Sequence, residues 1–199
     1  MDHFYTIEKP AIAEFKDRGS KFLAHAYPIL STNEFKKNLQ LLKKEHPKAV
    51  HHCFAYRLGL SGDVFRVSDD GEPSGTAGKP ILGQIDSKHL TDTAIIIVRY
   101  FGGTLLGVPG LIHAYKTAAS MVLQIVPTIQ KQIEVAYILH FEYRDLNDIM
   151  LLIKNSNSTI LEQQLQLFPY IKINVPKNRL KSFIFKLKEL HNVIFKLLV

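Results

Sequence analysis

The sequence predicts an α+β protein of two domains, and three observations predict it. The stretch beyond Pro127-Thr128 orders its candidate elements strand, helix, strand, strand, helix, strand, which is the ferredoxin-like arrangement. The stretch before it mixes β-branched strands with amphipathic helices, and the Pro-Thr step breaks the pattern between the two. A length of 199 residues suits two small domains, which places one at 1–127 and the other at 128–199.

Phe22 to Leu30 is β-prone, and Ser31-Thr32-Asn33-Glu34 has the form of a capping box opening a helix that runs to about His46 before Pro47. Ala49 to Leu58 alternates, with Val50, Phe54, Tyr56 and Leu58 on one face and the smaller, more polar His51, Cys53, Ala55 and Arg57 on the other. Ser61-Gly62-Asp63 reads as a turn before a short strand, Val64 to Val67. Pro80 to about Leu90 reads as a short helix, and the continuous apolar run Ala94 to Val98 as a central strand. Pro109 fits the first turn of a helix reaching about Val126, with Leu111, Ala114, Tyr115, Ala118, Val122 and Ile125 at helical spacing. The second domain reads as a strand near 133–143, a helix near 145–154, strands near 159–167 and 170–175, a helix near 177–190 and a last strand from Val193.

Hydrophobic residues make up 46% and charged residues 22%, an ordinary globular composition that argues against disorder. Apolar runs such as Ala94 to Val98 fall far short of the roughly 20 residues that span a bilayer. The start Met1-Asp2-His3-Phe4-Tyr5 lacks a secretory pattern, and one cysteine, Cys53, forms no internal disulfide, so a cytoplasmic location and no membrane association are expected. The net charge of +7 favours polyanions through counterion release and long-range steering. Lys172, Lys177, Arg179, Lys181, Lys186, Lys188 and Lys196 add a basic C-terminal stretch, by default a solvated face and otherwise an RNA contact.

Two glycine-rich stretches carry the candidate chemistry. Ser68 to Pro80 combines Asp69, Asp70 and Glu72 with Ser74, Gly75, Thr76, Gly78 and Lys79, and Arg99-Tyr100-Phe101-Gly102-Gly103-Thr104 follows shortly after. Backbone donors in the loops, the Ser74 and Thr76 hydroxyls and the Lys79 ammonium could together hold an anionic chain. Arg99 could add a bidentate phosphate contact, and Tyr100 or Phe101 a stacking surface. The carboxylates admit three readings: ligands for a divalent metal, Asx-type bonds to nearby N–H groups, or, for Glu72, a pair with a cation such as Arg99. Pro80 after Lys79 departs from the Walker pattern, so nucleotide hydrolysis has no support. His51 and Cys53 share a strand face but supply too few ligands for structural zinc and no third group for a nucleophilic triad.

DDGEPSGTAGKPIL, then VRYFGGTLLG, then GLIHAY, with Ser20-Lys21-Phe22 and His51 to Tyr56, resembles the signature of the IMPACT family, including its bacterial YigZ-type members. The resemblance covers most of residues 1–127. It implies a two-layer α/β first domain of the type found in one small-subunit ribosomal protein and in domain IV of elongation factor G. The second domain is then similar to the ferredoxin-like domain V of that factor. It further implies a role in control of translation without a defining reaction. Where the family pattern has an arginine and a glycine in its third motif, this chain has His113 and Pro109.

These readings converge on a non-catalytic RNA- or ribosome-binding protein with no cofactor, no metal and no specificity for DNA. Its binding surface would use Asp69, Asp70, Glu72, Ser74, Gly75, Thr76, Lys79, Arg99, Tyr100, Gly102, Gly103, Thr104 and Lys116. Two alternatives stand beside it. One is an enzyme acting on a phosphorylated small molecule with an acidic metal site at Asp69, Asp70 and Glu72; the other is a protein-interaction module.

Overall fold

A computed structural model describes residues 2–190 and 192–198 and divides the chain into two compact units. The larger takes Phe4–Lys131; the smaller is built from Gln132 onward together with the residues preceding Phe4. The chain is a mixed α/β protein of two α+β units.

The larger unit is organised by a five-stranded antiparallel sheet in the order β2 (Ala11–Asp17), β3 (Ser20–Pro28), β6 (Thr93–Tyr100), β4 (His51–Leu58), β5 (Val64–Ser68). Residues 95–98 of β6 are fully buried, as a continuous β-branched run in a central strand requires. Burying each such side chain contributes about 1.5–3 kcal/mol. One face of the sheet packs Phe22, Ala24, Cys53, Ala55, Ile95 and Ile97 against α2 (Gly78–Ser87) and α3 (Gly107–Ile125). The small residues on that face let the helices sit close. On the opposite face Phe54, Tyr56, Ile96 and Val98 pack with Phe35 and Leu42 of α1 (Thr32–Glu45), giving one helical layer more than the two expected. The α1 start is capped as its sequence predicts. The Ser31 hydroxyl accepts from the Glu34 N–H at 3.2 Å, and the Glu34 carboxylate accepts from the Leu30 N–H at 2.7 Å.

Three strands fall outside the elements the sequence predicts. Two of them, β1 (His3–Ile7) and β7 (Thr128–Gln132), pair as a ribbon. The third, β2, directs Ala11, Ala13 and Phe15 inward and leaves Ile12 61% exposed, so its hydrophobic pattern is inverted at the one bulky aliphatic position. Helix α3 begins two residues before Pro109.

The smaller unit has the predicted element order: β8 (Glu134–His140), α4 (Leu146–Asn155), β9 (Thr159–Gln164), β10 (Tyr170–Pro176), α5 (Leu180–Glu189) and β11 (Ile194–Leu197). The sheet runs β11-β8-β10-β9, the ferredoxin-like order, and Ile149, Leu152, Ile153, Phe183 and Leu187 of the two helices close one core with Leu139, Ile171, Ile173 and Val175. Of its basic residues, Lys172 is paired with Glu162 at 2.7 Å. Among the described residues no helix is long and apolar enough to cross a membrane.

One contact in the larger unit is backbone against backbone. A methyl group on Gly102 would lie 1.8 Å from the Gly19 carbonyl carbon and 2.1 Å from the Ser20 nitrogen, whereas one on Gly103 meets open space and only the cost of φ +86°. Gly102→Ala is therefore expected to lower stability by more than about 2 kcal/mol and Gly103→Ala by about 1 kcal/mol, measured by urea denaturation. Equal effects would contradict this packing.

Candidate functional site

Strand β5 delivers the chain into the acidic glycine loop, where Asp69 accepts from the N–H groups of Ala77 and Gly78 on Oδ1 and of Gly75 on Oδ2, each at 2.9 Å. Helix α2 has Ala77 at its cap and no side-chain cap of its own, so Asp69 caps it from eight residues upstream. Partial burial acts to raise the Asp69 pKa, but the three N–H donors outweigh it and hold the carboxyl below its ordinary value. Asp70, with φ +43°, accepts from the His52 N–H on Oδ2 at 2.7 Å, and its carbonyl lies 2.7 Å from His51 Nδ1.

Glu72 turns inward and is buried. Its Oε1 receives Arg99 Nη1 at 2.5 Å and the Tyr115 hydroxyl at 2.7 Å, with His51 Nε2 at 3.8 Å. Arg99 ends β6, Tyr115 lies on α3 and His51 begins β4, so one carboxylate oxygen ties the acidic loop to three elements. The Cys53 sulfur lies 3.0 Å from the Asp69 carbonyl and 3.2 Å from the Tyr115 hydroxyl. Burial raises the pKa of both the thiol and the phenol, which keeps them protonated as donors and leaves Cys53 a poor nucleophile.

The second loop is fastened from the other side. The buried Ser20 hydroxyl accepts from the Gly102 N–H at 3.2 Å and lies 3.4 Å from Arg99 Nη2. The Arg99 guanidinium sits 5.4 Å from the Phe22 ring centre and 5.9 Å from that of Phe101. From Gly102 to Leu105 the loop is exposed, and α3 starts at Gly107 with the buried Leu106 at its cap position and no side-chain cap.

These positions sort the expected site residues into two groups. Ser74, Lys79, Gly102, Gly103, Thr104 and Lys116 are exposed. Arg99 is 5% exposed with its charge already on Glu72, which corrects its assignment as a phosphate clamp. Thr76 is buried and gives its hydroxyl to the Pro73 carbonyl at 2.7 Å, while the Gly75 N–H belongs to Asp69; neither is free to bind an anion. Asp69, Asp70 and Glu72 hold the loop together, the Asx-type and ion-pair readings of the sequence, in place of a contact surface or a metal cradle. Tyr100 bonds His46 Nδ1 through its hydroxyl at 2.8 Å and is half-buried, so Phe101, 48% exposed, is the aromatic presented to solvent.

Among the described residues no group of three or more His, Cys, Asp or Glu side chains is placed to hold a metal ion. The positioning residues that sequence reasoning passed over are Ser20, His51 and Tyr115. Tyr115 carried one signal, a hydroxyl in an otherwise apolar helical stripe. Leu105, Val108 and Ile112 were passed over too, and they leave exposed apolar surface beside the second loop.

Residues 18–123 match the family described as the Impact N-terminal domain. The chain is 34% identical over 176 residues to the IMPACT family member YigZ of Escherichia coli, covering 87% of this chain and 85% of that protein. It is 30% identical over 113 residues to Protein IMPACT of Xenopus laevis, covering 54% of this chain and 36% of that one. A crystal structure of a hypothetical protein superposes with a TM-score of 0.78 at 28% identity, covering 100% of this chain and 98% of the other.

The buried charge pair makes a test of the site's internal design. Glu72→Gln keeps the shape and leaves the Arg99 charge unpaired, at an expected cost of about 3–5 kcal/mol. Tyr115→Phe removes one hydrogen bond to that carboxylate and is expected to cost about 1.5–3 kcal/mol. Urea denaturation of both variants checks the order.

Proposed function

The chain belongs to the IMPACT family, and from that premise we propose that it is a non-catalytic RNA- or ribosome-binding protein acting in the regulation of translation. The observation that carries this reading is the division of the two loops into a locked inner side and an exposed outer side. Glu72, Arg99 and Tyr115 lock the first; Lys79, Phe101, Gly103 and Thr104 make up the second. A lysine supplies a mobile charge for phosphate, an exposed ring supplies a stacking platform, and the uncapped start of α3 adds backbone donors. The net charge of +7 supplies the attraction. Lys116, exposed on α3, belongs to the same reading.

The carboxylate oxygens that an acidic metal site would need are taken up by backbone donors and by Arg99, which weighs against an enzyme using Asp69 and Glu72 as metal ligands. A protein partner is favoured by one observation, the exposed Phe101, Leu105, Val108 and Ile112. Pull-down before and after nuclease treatment separates that reading from RNA binding.

Gel shift of the full chain on ribosomal and transfer RNA across a salt series tests the RNA reading. Lys79→Ala and Lys116→Ala are each expected to weaken binding evenly across RNA sequences and to reduce the logarithmic salt slope by about 1. Absence of any binding at low salt, or an unchanged slope in both variants, overturns it.

A further inference from the structure

Three histidines meet on the α1 side of the larger sheet. His25 of β3 is 4% exposed, and neither of its ring nitrogens has a hydrogen-bond partner. His52 of β4 is 7% exposed with Nε2 unpartnered. His46, at the C-terminal cap of α1, places its ring 5.8 Å from that of His25. The titratable and charged groups around them are Lys43, Glu45 and His46 from α1, Tyr27 from β3, His52 from β4, Tyr100 from β6 and Asp70 from the acidic loop.

Burial, and then the neighbouring His46, push the His25 pKa down to about 4. Burial also lowers His52, against the opposing pull of Asp70. An exposed imidazole titrates near 6.5, so above that pH neither the closed nor an opened state takes up a proton at His25. Between about 6.5 and 4 the opened state takes up protons that the closed state refuses, and falling pH favours opening.

The cluster is wired to both loops. His46 Nδ1 lies 2.8 Å from the Tyr100 hydroxyl, and Tyr100 immediately precedes Phe101-Gly102-Gly103. The His52 N–H donates to Asp70 Oδ2 at 2.7 Å, and its ring Nδ1 lies 4.0 Å from the same oxygen. We propose that the cluster of His25, His46 and His52 is an acid-sensitive latch beneath the two loops: closed, it holds Tyr100 through the His46 ring and Asp70 through the His52 backbone, and uptake of a proton by the buried, unpartnered His25 ring opens it and frees both loops. This rests on the binding role given to that surface, and assigns its regulation.

The test uses the full chain without RNA, so failure of RNA binding leaves its outcome unaffected. Backbone amide signals of Gly71 and Gly103 and the ring signals of His25 are followed by NMR from about pH 7.5 to about pH 4.5. In the wild type both glycine signals are expected to shift together with the His25 ring while the rest of the spectrum stays dispersed. His25→Phe is expected to move that loop transition down by about one pH unit or more. Tyr100→Phe, which leaves the histidines intact, is expected to let the His25 ring titrate while Gly103 no longer follows. The latch is overturned if the glycine signals titrate alike in the wild type and in either variant, or if they hold still until the whole spectrum collapses.

Discussion

A single buried carboxylate oxygen organises the larger unit. Glu72 Oε1 receives a guanidinium from a strand end and a phenol from a helix, and carries the acidic loop in with it. Buried ion pairs seldom add much net stability over an apolar packing of equal volume, because desolvation offsets the attraction. What this pair contributes is position: once Arg99 is inside, its charge is met by one carboxylate in one place, which fixes the loop that carries it. The Cys53 thiol, the His51 ring and the Ser20 hydroxyl then fill the remaining places around the pair.

Asp69 does for the backbone what Glu72 does for the guanidinium. The sequence Gly75-Thr76-Ala77-Gly78 has the donors of an anion cradle, and three of its N–H groups converge as such a cradle would. The anion they hold is the protein's own. An external phosphate would have to displace a carboxylate that already makes three bonds of good length, so recognition passes to side chains on the rim and to the second loop.

Much of the fold was legible in the sequence, because it rests on periodicity. The βαββαβ half, the capped α1 and the central run of β6 each follow from patterns that burial enforces. Strand β2 was not legible: with Ile12 outward and alanines inward, its alternation opposes the rule that reads large aliphatic residues as core. The site was half legible. Residue types located both loops, since nothing in a core calls for such a mixture. Whether a donor is free or already taken is a property of three-dimensional partners, and Arg99, Thr76 and Gly75 carry the same letters in either state. Tyr115 and Ser20 acquire their roles only through contacts 43 and 82 residues away in the chain, which no local window contains.

The β2–β3 hairpin turns in two residues, Arg18 and Gly19, both with positive φ. Such a turn matches the twist of its strands and fixes their offset. Because the Gly19 backbone rests directly on Gly102, this surface bend also serves as the seat for a loop on the far side of the sequence. Hairpin tips are ordinarily where chains lengthen and shorten most freely over evolutionary time. Here an added or deleted residue would leave Gly102 without its seat, so related chains should vary this bend in spelling and keep its length.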